Sequence, residues 1–201
     1  QRAGPRQRRR TLLGAVVVRE RLGAFPLKGS VMDDLPSTPD ALQHPTGRFL
    51  GRVAFQQVVR DALACAAQEG WREIVVSDPT FEDWPLGERE VCTSLQKWAR
   101  PGRQFTMLAV SFDAVVRRHA RFVAWRTTWS HLIDCRACRS ADPQDMPSAL
   151  YSPVWTMRRL DLEHSGGICS DDPQRRVLLQ QAQGEWLRKS SLAFPSSTLG
   201  L

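Results

Sequence analysis

The feature that most constrains the fold is an alternation of helical and strand-like segments between Arg52 and Cys138. Apolar residues recur at helical spacing in three stretches, which predict helices over residues 52–70, 86–100 and 113–130. Between and after them lie three short apolar runs, which predict buried strands within residues 72–79, 104–111 and 131–138. Helices and strands that alternate in this order pair their strands in parallel and pack the helices onto the sheet.

The remainder of the chain predicts further strands and a closing helix. Residues 149–153 and 154–161 are two strand-like segments broken at Pro153, and the segment 165–170, "SGGICS", is a third. Asp172 and Pro173 provide an N-cap and a first-turn proline for a helix over 173–189. We therefore expect one α/β domain over residues 53–201, with a mixed sheet flanked by helices.

The first 50 residues differ from this domain in composition. They are rich in proline, glycine and arginine and show no sustained hydrophobic period, so we expect a disordered basic arm. Residues 1–30 carry eight basic side chains and one acid, which accounts for the whole net charge of +7. Non-specific contact with nucleic acid is therefore expected of residues 1–50, whereas the basic and acidic side chains of residues 31–201 cancel.

Several classes of protein are disfavoured by what the sequence lacks. Five cysteines at irregular spacing do not indicate a secreted disulfide framework, and no segment reaches the roughly 20 apolar residues of a membrane span. Glycine-rich nucleotide loops and the G-x-S-x-G nucleophile motif are absent, so no cofactor is expected. We expect a cytoplasmic protein.

Three stretches resemble an uncharacterised bacterial family with a phospholipase D-like fold. They are "DPTFEDWPLG" (78–87), "RRHARFVAWRTTWSH" (117–131) and "FPSSTLGL" (194–201), and the resemblance covers roughly residues 53–201. It implies a single phospholipase D-like sandwich. It implies no activity, because that family has none that transfers to this chain.

The wider phospholipase D superfamily uses a His-x-Lys-x4-Asp motif, in which histidine is the nucleophile and lysine holds the phosphate. None of the four histidines of this chain is followed by lysine two residues later. No catalytic residue is therefore assigned, and the resemblance implies a catalytically vacant domain.

The stretch 117–131 holds the candidate anion-binding residues Arg118, His119, Arg126 and His131. Helical periodicity buries Phe122, Trp125 and Trp129 and places Arg126 beside this apolar stripe. A guanidinium there requires a carboxylate, an aromatic face or a bound anion. We favour an internal ion pair with Asp78, Asp83 or Asp134, and the alternative is an anion pocket built on Arg126.

Two other stretches have a structural and a functional interpretation. Asp78, Glu82 and Asp83 follow a predicted strand, where carboxylates can bind a cation or act as acid and base. The alternative is an Asx-turn at Asp78 with Phe81 and Trp84 in the core.

Cys135 and Cys138 form one C-x-x-C pair on a predicted strand, where positions i and i+3 point to opposite faces. A zinc or redox site there is the alternative to two buried structural cysteines.

The sequence thus favours a non-catalytic binding module for an anionic, phosphate-bearing ligand or protein partner. A phosphodiesterase-type enzyme with a rearranged active site and a small protein stabilised by a metal at Cys135 and Cys138 remain the alternatives.

Overall fold

The computed structural model describes residues 44–195, which form one mixed α/β domain. Its strands are β1 (Gly47–Phe49), β2 (Glu73–Ser77), β3 (Gln104–Ala109), β4 (Ile133–Ala137), β5 (Ser148–Tyr151), β6 (Thr156–Asp161), β7 (Gly166–Ser170) and β8 (Ser191–Leu192). Its α-helices are α1 (Arg52–Glu69), α2 (Arg89–Trp98), α3 (Asp113–Arg118), α4 (Ala120–Thr128) and α5 (Pro173–Lys189), and a short 3-10 helix (Ser130–Leu132) precedes β4.

All eight strands belong to one open mixed sheet, in the order β1-β7-β6-β5-β2-β3-β4-β8. The strands β2, β3 and β4 pair in parallel, which confirms the expectation from the alternating helices and strands. The other strands pair antiparallel, so β5 joins the antiparallel half to the parallel half at β2.

Helices cover the sheet on both faces. Along β2, Ile74 and Val76 pack into the larger core with α1, α2 and α4, whereas Val75 packs with Leu179 of α5 on the opposite face. The two-residue period of the strand thus assigns its side chains to two separate cores.

Local sequence signals end α1 and begin α5 as expected. Gly70 adopts the left-handed conformation (φ 70°) and its N–H donates to the carbonyl of Ala66 at 2.9 Å. Asp172 accepts a hydrogen bond from the N–H of Gln174 at 2.9 Å, and Pro173 occupies the first turn of α5.

The helix predicted over residues 113–130 is divided in two. His119 adopts φ −116° and ψ 50° between α3 and α4, and its ring lies against the carbonyl of Phe81. Asp113 is also not the cap, because the hydroxyl of Ser111 accepts a hydrogen bond from the N–H of Asp113 instead. Helical periodicity could not show this break, because the partner of His119 is 38 residues away in sequence.

The end of the predicted arm is part of the domain. Gly47–Phe49 form β1 against β7, and the indole of Trp155 donates to the carbonyl of Pro45 at 2.7 Å. At Gly167, a Cβ atom would overlap the ring of Phe49, so the glycine pair in "SGGICS" permits β1 to pack there. The expectation of disorder for residues 1–43 lies outside the described residues.

Within residues 44–195, no helix combines the length and the hydrophobicity that crossing a bilayer requires.

Candidate functional site

Two arginine side chains, Arg126 and Arg159, are buried in the described domain and have opposite electrostatic surroundings. Arg159 is 6% exposed and Arg126 is 5% exposed. One guanidinium is paired with carboxylates and the other is not, and this difference separates a structural site from a candidate binding site.

Arg159 of β6 reaches across β5 to the loop that follows β2. Its guanidinium donates to Asp78 Oδ2 at 3.0 Å, to Asp83 Oδ2 at 3.1 Å and to the hydroxyl of Ser148 at 3.1 Å. The guanidinium carbon also lies 4.5 Å from the ring centroid of Phe55. Each of the three guanidinium nitrogens of Arg159 thus donates to an acceptor, and two of these acceptors are carboxylates.

Asp78 organises the loop 78–87. One carboxylate oxygen accepts hydrogen bonds from the N–H groups of Thr80 (3.0 Å) and Phe81 (2.7 Å), and the other accepts from the indole of Trp84 (2.9 Å). Phe81 and Trp84 are buried, while Glu82 is exposed. The Asx-turn interpretation of this stretch is therefore confirmed.

The pairing with Arg159 was not predicted from the sequence. The sequence "TMRRLD" could have indicated it, because two adjacent arginines in a strand project from opposite faces of the sheet and one of them then faces a buried layer. A cavity of about 220 Å³ lies against this cluster, and its lining includes Asp78, Asp83 and Arg159. Asp83 also pairs with Arg52 at 3.2 Å, so both carboxylates of the cluster are already neutralised.

Arg118 and His119 contact this same loop. The Arg118 guanidinium pairs with Glu82 at the surface, and His119 Nε2 lies 2.9 Å from the carbonyl of Phe81. Gly87 permits the close approach, because a Cβ there would lie 3.1 Å from the Arg118 carbonyl. Two of the predicted anion-binding residues are therefore engaged in holding the loop.

Arg126 does not form the predicted ion pair. Asp78 and Asp83 pair with Arg159, and within residues 44–195 no carboxylate lies within 4.0 Å of Arg126. Its Nε donates to Cys135 Sγ at 3.1 Å, and its guanidinium carbon lies 4.3 Å from the ring centroid of Phe194. An aromatic face and a thiol thus replace the expected acid.

A cavity of about 420 Å³ opens beside Arg126. Its lining consists of Arg126, Ser130, Ile133, Asp134, Cys135, Leu192, Ala193 and Pro195. Among the described residues, only Cys135 accepts a hydrogen bond from the Arg126 guanidinium, and it accepts from Nε. Among the described lining residues only Asp134 carries a carboxylate, and this lies 3.6 Å from the guanidinium of Arg136.

The thiol of Cys135 completes the lining. Burial raises the pKa of this thiol, and the hydrogen bond from Arg126 opposes that shift without cancelling it. The group beside Arg126 is consequently a neutral thiol rather than a thiolate at neutral pH. The guanidinium charge stays uncompensated.

His131 does not join Arg126 in this cavity. Its side chain is exposed, and its ring lies tilted by 43° to the ring of Trp129 at a centroid distance of 5.8 Å. The four predicted anion-binding residues are thus distributed over the loop 78–87, the cavity and the surface.

Cys135 and Cys138 do not converge. Cys135 packs in the core under α4, whereas Cys138 packs with Leu108 and Met146 on the other face and donates to the carbonyl of Trp186 at 3.4 Å. The expectation that positions i and i+3 of a strand point to opposite faces is confirmed. These two thiols do not bind one metal ion together in this fold.

No protein-family model matches the chain, and no curated protein matches it. Among solved structures, the chain is similar to TrmBL2, an archaeal chromatin protein whose structure is described as showing a novel mode of DNA binding. The TM-score is 0.54 at 14% sequence identity, and the match covers 81% of this chain and 57% of TrmBL2. The similarity is one of fold, and this chain spans little more than half the length of that protein.

Proposed function

We propose that this domain is a non-catalytic binding module for a phosphate-bearing anionic partner, with Arg126 as the residue that contacts the anion. The observation that carries the proposal is a buried guanidinium with no carboxylate partner in the described chain, beside a cavity of about 420 Å³. An uncompensated buried charge is costly, and a bound anion would remove that cost.

The surroundings of Arg126 fix its orientation before any ligand arrives. The hydrogen bond to Cys135 and the ring of Phe194 restrain two sides of the guanidinium. Its terminal nitrogens remain for a ligand, and this planar fork matches the geometry of two phosphate oxygens. Restraint in the free protein reduces the entropy lost on binding.

We further propose that the domain is a catalytically vacant relative of the phospholipase D-like fold. The mixed sheet with helices on both faces is compatible with that resemblance. The absence of His-x-Lys-x4-Asp from the sequence supports vacancy. Purified protein should show no turnover of a chromogenic phosphodiester above background, and turnover abolished by His119→Ala would instead support a rearranged active site.

The test of binding is the variant Arg126→Met in the full chain. We expect the wild-type protein to bind inorganic phosphate or a short duplex DNA in a calorimetric titration, and the variant to bind at least 10-fold more weakly. DNA is included because TrmBL2 is described as binding it and because residues 1–30 carry the net charge. Arg117→Met, an exposed neighbour on α3, removes the same charge and should leave binding of inorganic phosphate nearly unchanged.

Stability distinguishes this site from a structural ion pair. Arg126→Met leaves no carboxylate of the described domain without its partner. The free energy of unfolding should therefore fall by less than about 1 kcal/mol, or it should rise. A loss of about 3–5 kcal/mol without any change in anion affinity would mean that Arg126 is structural and the proposal is wrong.

A further inference from the structure

Three side chains of metal-binding types meet where the segment before β1 crosses α1. The ligand atoms of His44, Cys65 and Glu69 all lie within 4.8 Å of one another. No other group of three such side chains is found among residues 44–195. These residues contribute to neither the loop 78–87 nor the cavity beside Arg126.

Helix geometry explains two members of the group. Cys65 and Glu69 are four residues apart in α1, so their side chains lie on the same face, one turn apart. His44 approaches from the segment preceding β1, and its Nε2 lies 2.8 Å and 2.9 Å from the two carboxylate oxygens of Glu69. Nitrogen, sulfur and oxygen donors thus come from three side chains that lie close together.

Two tryptophan side chains hold this arrangement in place. The indole of Trp71 donates to Glu69 Oε2 at 2.9 Å, and its ring meets the His44 ring edge to face at 5.6 Å. The indole of Trp155 donates to the carbonyl of Pro45, which fixes the backbone next to His44. Hydrogen bonds that orient a ligating carboxylate in this way are typical of built metal sites.

We propose that His44, Cys65 and Glu69 bind a zinc ion. Zinc accepts imidazole nitrogen, thiolate sulfur and carboxylate oxygen together, at about 2.0–2.3 Å from each ligand atom. Ligand atoms around such an ion are separated by roughly 3.3–3.8 Å, given tetrahedral geometry at those bond lengths. Binding would require His44 Nε2 and the Glu69 oxygens, now 2.8 and 2.9 Å apart, to separate slightly, with water as the fourth ligand.

Charge supports the choice of a divalent ion. A thiolate and a carboxylate carry two negative charges, which a zinc ion neutralises, while histidine binds in its neutral form. The ion would fasten residues 44–46 to α1 at the point where the chain enters the domain. The proposal is independent of anion binding at Arg126 and of the cysteine pair at 135 and 138.

The experiment uses the full, tag-free chain. We expect one equivalent of zinc in competition with a chromophoric chelator, and a thiolate-to-metal absorption band when cobalt replaces zinc. His44→Gln alters a side chain at the edge of the fold and should weaken zinc binding by about 10- to 100-fold or more. Trp71→Phe keeps all three ligands and should weaken it by about 10-fold, because Glu69 loses its indole partner.

Two cysteine variants complete the test. Cys65→Ser should abolish the cobalt–thiolate band, whereas Cys138→Ser should leave it unchanged. Wild-type protein without stoichiometric zinc would overturn the proposal, as would equal affinity in His44→Gln. A band lost in Cys138→Ser but kept in Cys65→Ser would place the metal elsewhere and also overturn it.

Discussion

At the scale of single residues, the domain shows two ways of burying an arginine. Arg159 is compensated by Asp78 and Asp83 and by the hydroxyl of Ser148. Arg126 has only a thiol and an aromatic ring among the described residues. Removing a cation from the first environment leaves buried negative charge behind, whereas removing it from the second does not.

We therefore expect Arg159→Met to lower the free energy of unfolding by about 3–5 kcal/mol, measured by urea denaturation. Asp78 is 2% exposed and would lose its buried cationic partner. Arg158→Met is the matched control, because Arg158 is the exposed neighbour on the other face of β6 and its loss should cost less than about 0.5 kcal/mol. Similar losses in both variants would contradict the role given to the cluster.

At the scale of elements, the residue between α3 and α4 connects these helices to the loop that follows β2. His119 leaves helical geometry, and its ring contacts the carbonyl of Phe81 in the buried loop after β2. Phe81 itself has a positive φ of 58°, which is uncommon for a large side chain. The loop is thus held by its own Asp78 and by a histidine from another element.

His119→Ala should destabilise the domain by at least about 1–3 kcal/mol, because the buried carbonyl of Phe81 loses its partner. His131 is exposed in the 3-10 helix after α4, so His131→Ala should change the free energy of unfolding by less than about 0.5 kcal/mol. Thermal or chemical denaturation of the two variants compares them directly. An unchanged His119→Ala protein would show that the loop does not depend on this contact.

A second link between elements joins α1 to the start of α2. Arg60 contacts both carboxylate oxygens of Glu88, at 2.6 Å and 2.8 Å, and this hydrogen bonding lowers the pKa of Glu88. The pair therefore stabilises the fold above about pH 4.3, the ordinary pKa of glutamate, and this contribution is lost as the pH falls through the lower pKa of the folded state.

Arg60→Gln should accordingly cost up to about 1 kcal/mol at pH 7, since the pair is partly exposed and screened by solvent. The difference between variant and wild type should shrink toward zero in denaturation curves measured below pH 4. Arg72→Gln, on an exposed side chain outside the ion pairs of the described domain, should show no such convergence. A difference that persists at low pH would point to lost packing instead.

At the scale of the whole molecule, the sequence predicted helices and strands whose signals lie within one short segment. It did not predict contacts between segments that are far apart in the chain. The spacing of apolar residues predicted α1 and α2, and short apolar runs predicted the three parallel strands. Asp172 and Pro173 predicted α5, and Gly70 marked the end of α1. The strand β1 was not predicted, because three residues show no period and its partner β7 lies far along the chain. The ion pair between Asp78 and Arg159 was not predicted either, because the two residues are far apart in the chain. They meet only because the sheet places β6 and β2 on either side of β5.

Truncation separates the arm from the domain. Deleting residues 1–43 should leave the melting temperature nearly unchanged, because their composition predicts no packed core. Deleting residues 1–50 also removes β1 and the partner of the Trp155 indole, and should lower the melting temperature by about 2–4 °C for each kcal/mol lost. Equal melting temperatures for the two truncated proteins would show that β1 contributes nothing to stability.

The pairing of β1 with β7 also has a consequence for biosynthesis. Pro45 and Trp155 are 110 residues apart, and a ribosome adds about 5–20 residues per second, so the first strand emerges on the order of 10 s before its partners exist. During that interval the edge formed by Gly47–Phe49 has nothing to pair with. The pairing of β1 with β7 therefore waits until β7 has been synthesised, and a nascent chain released before that point would leave β1 unpaired.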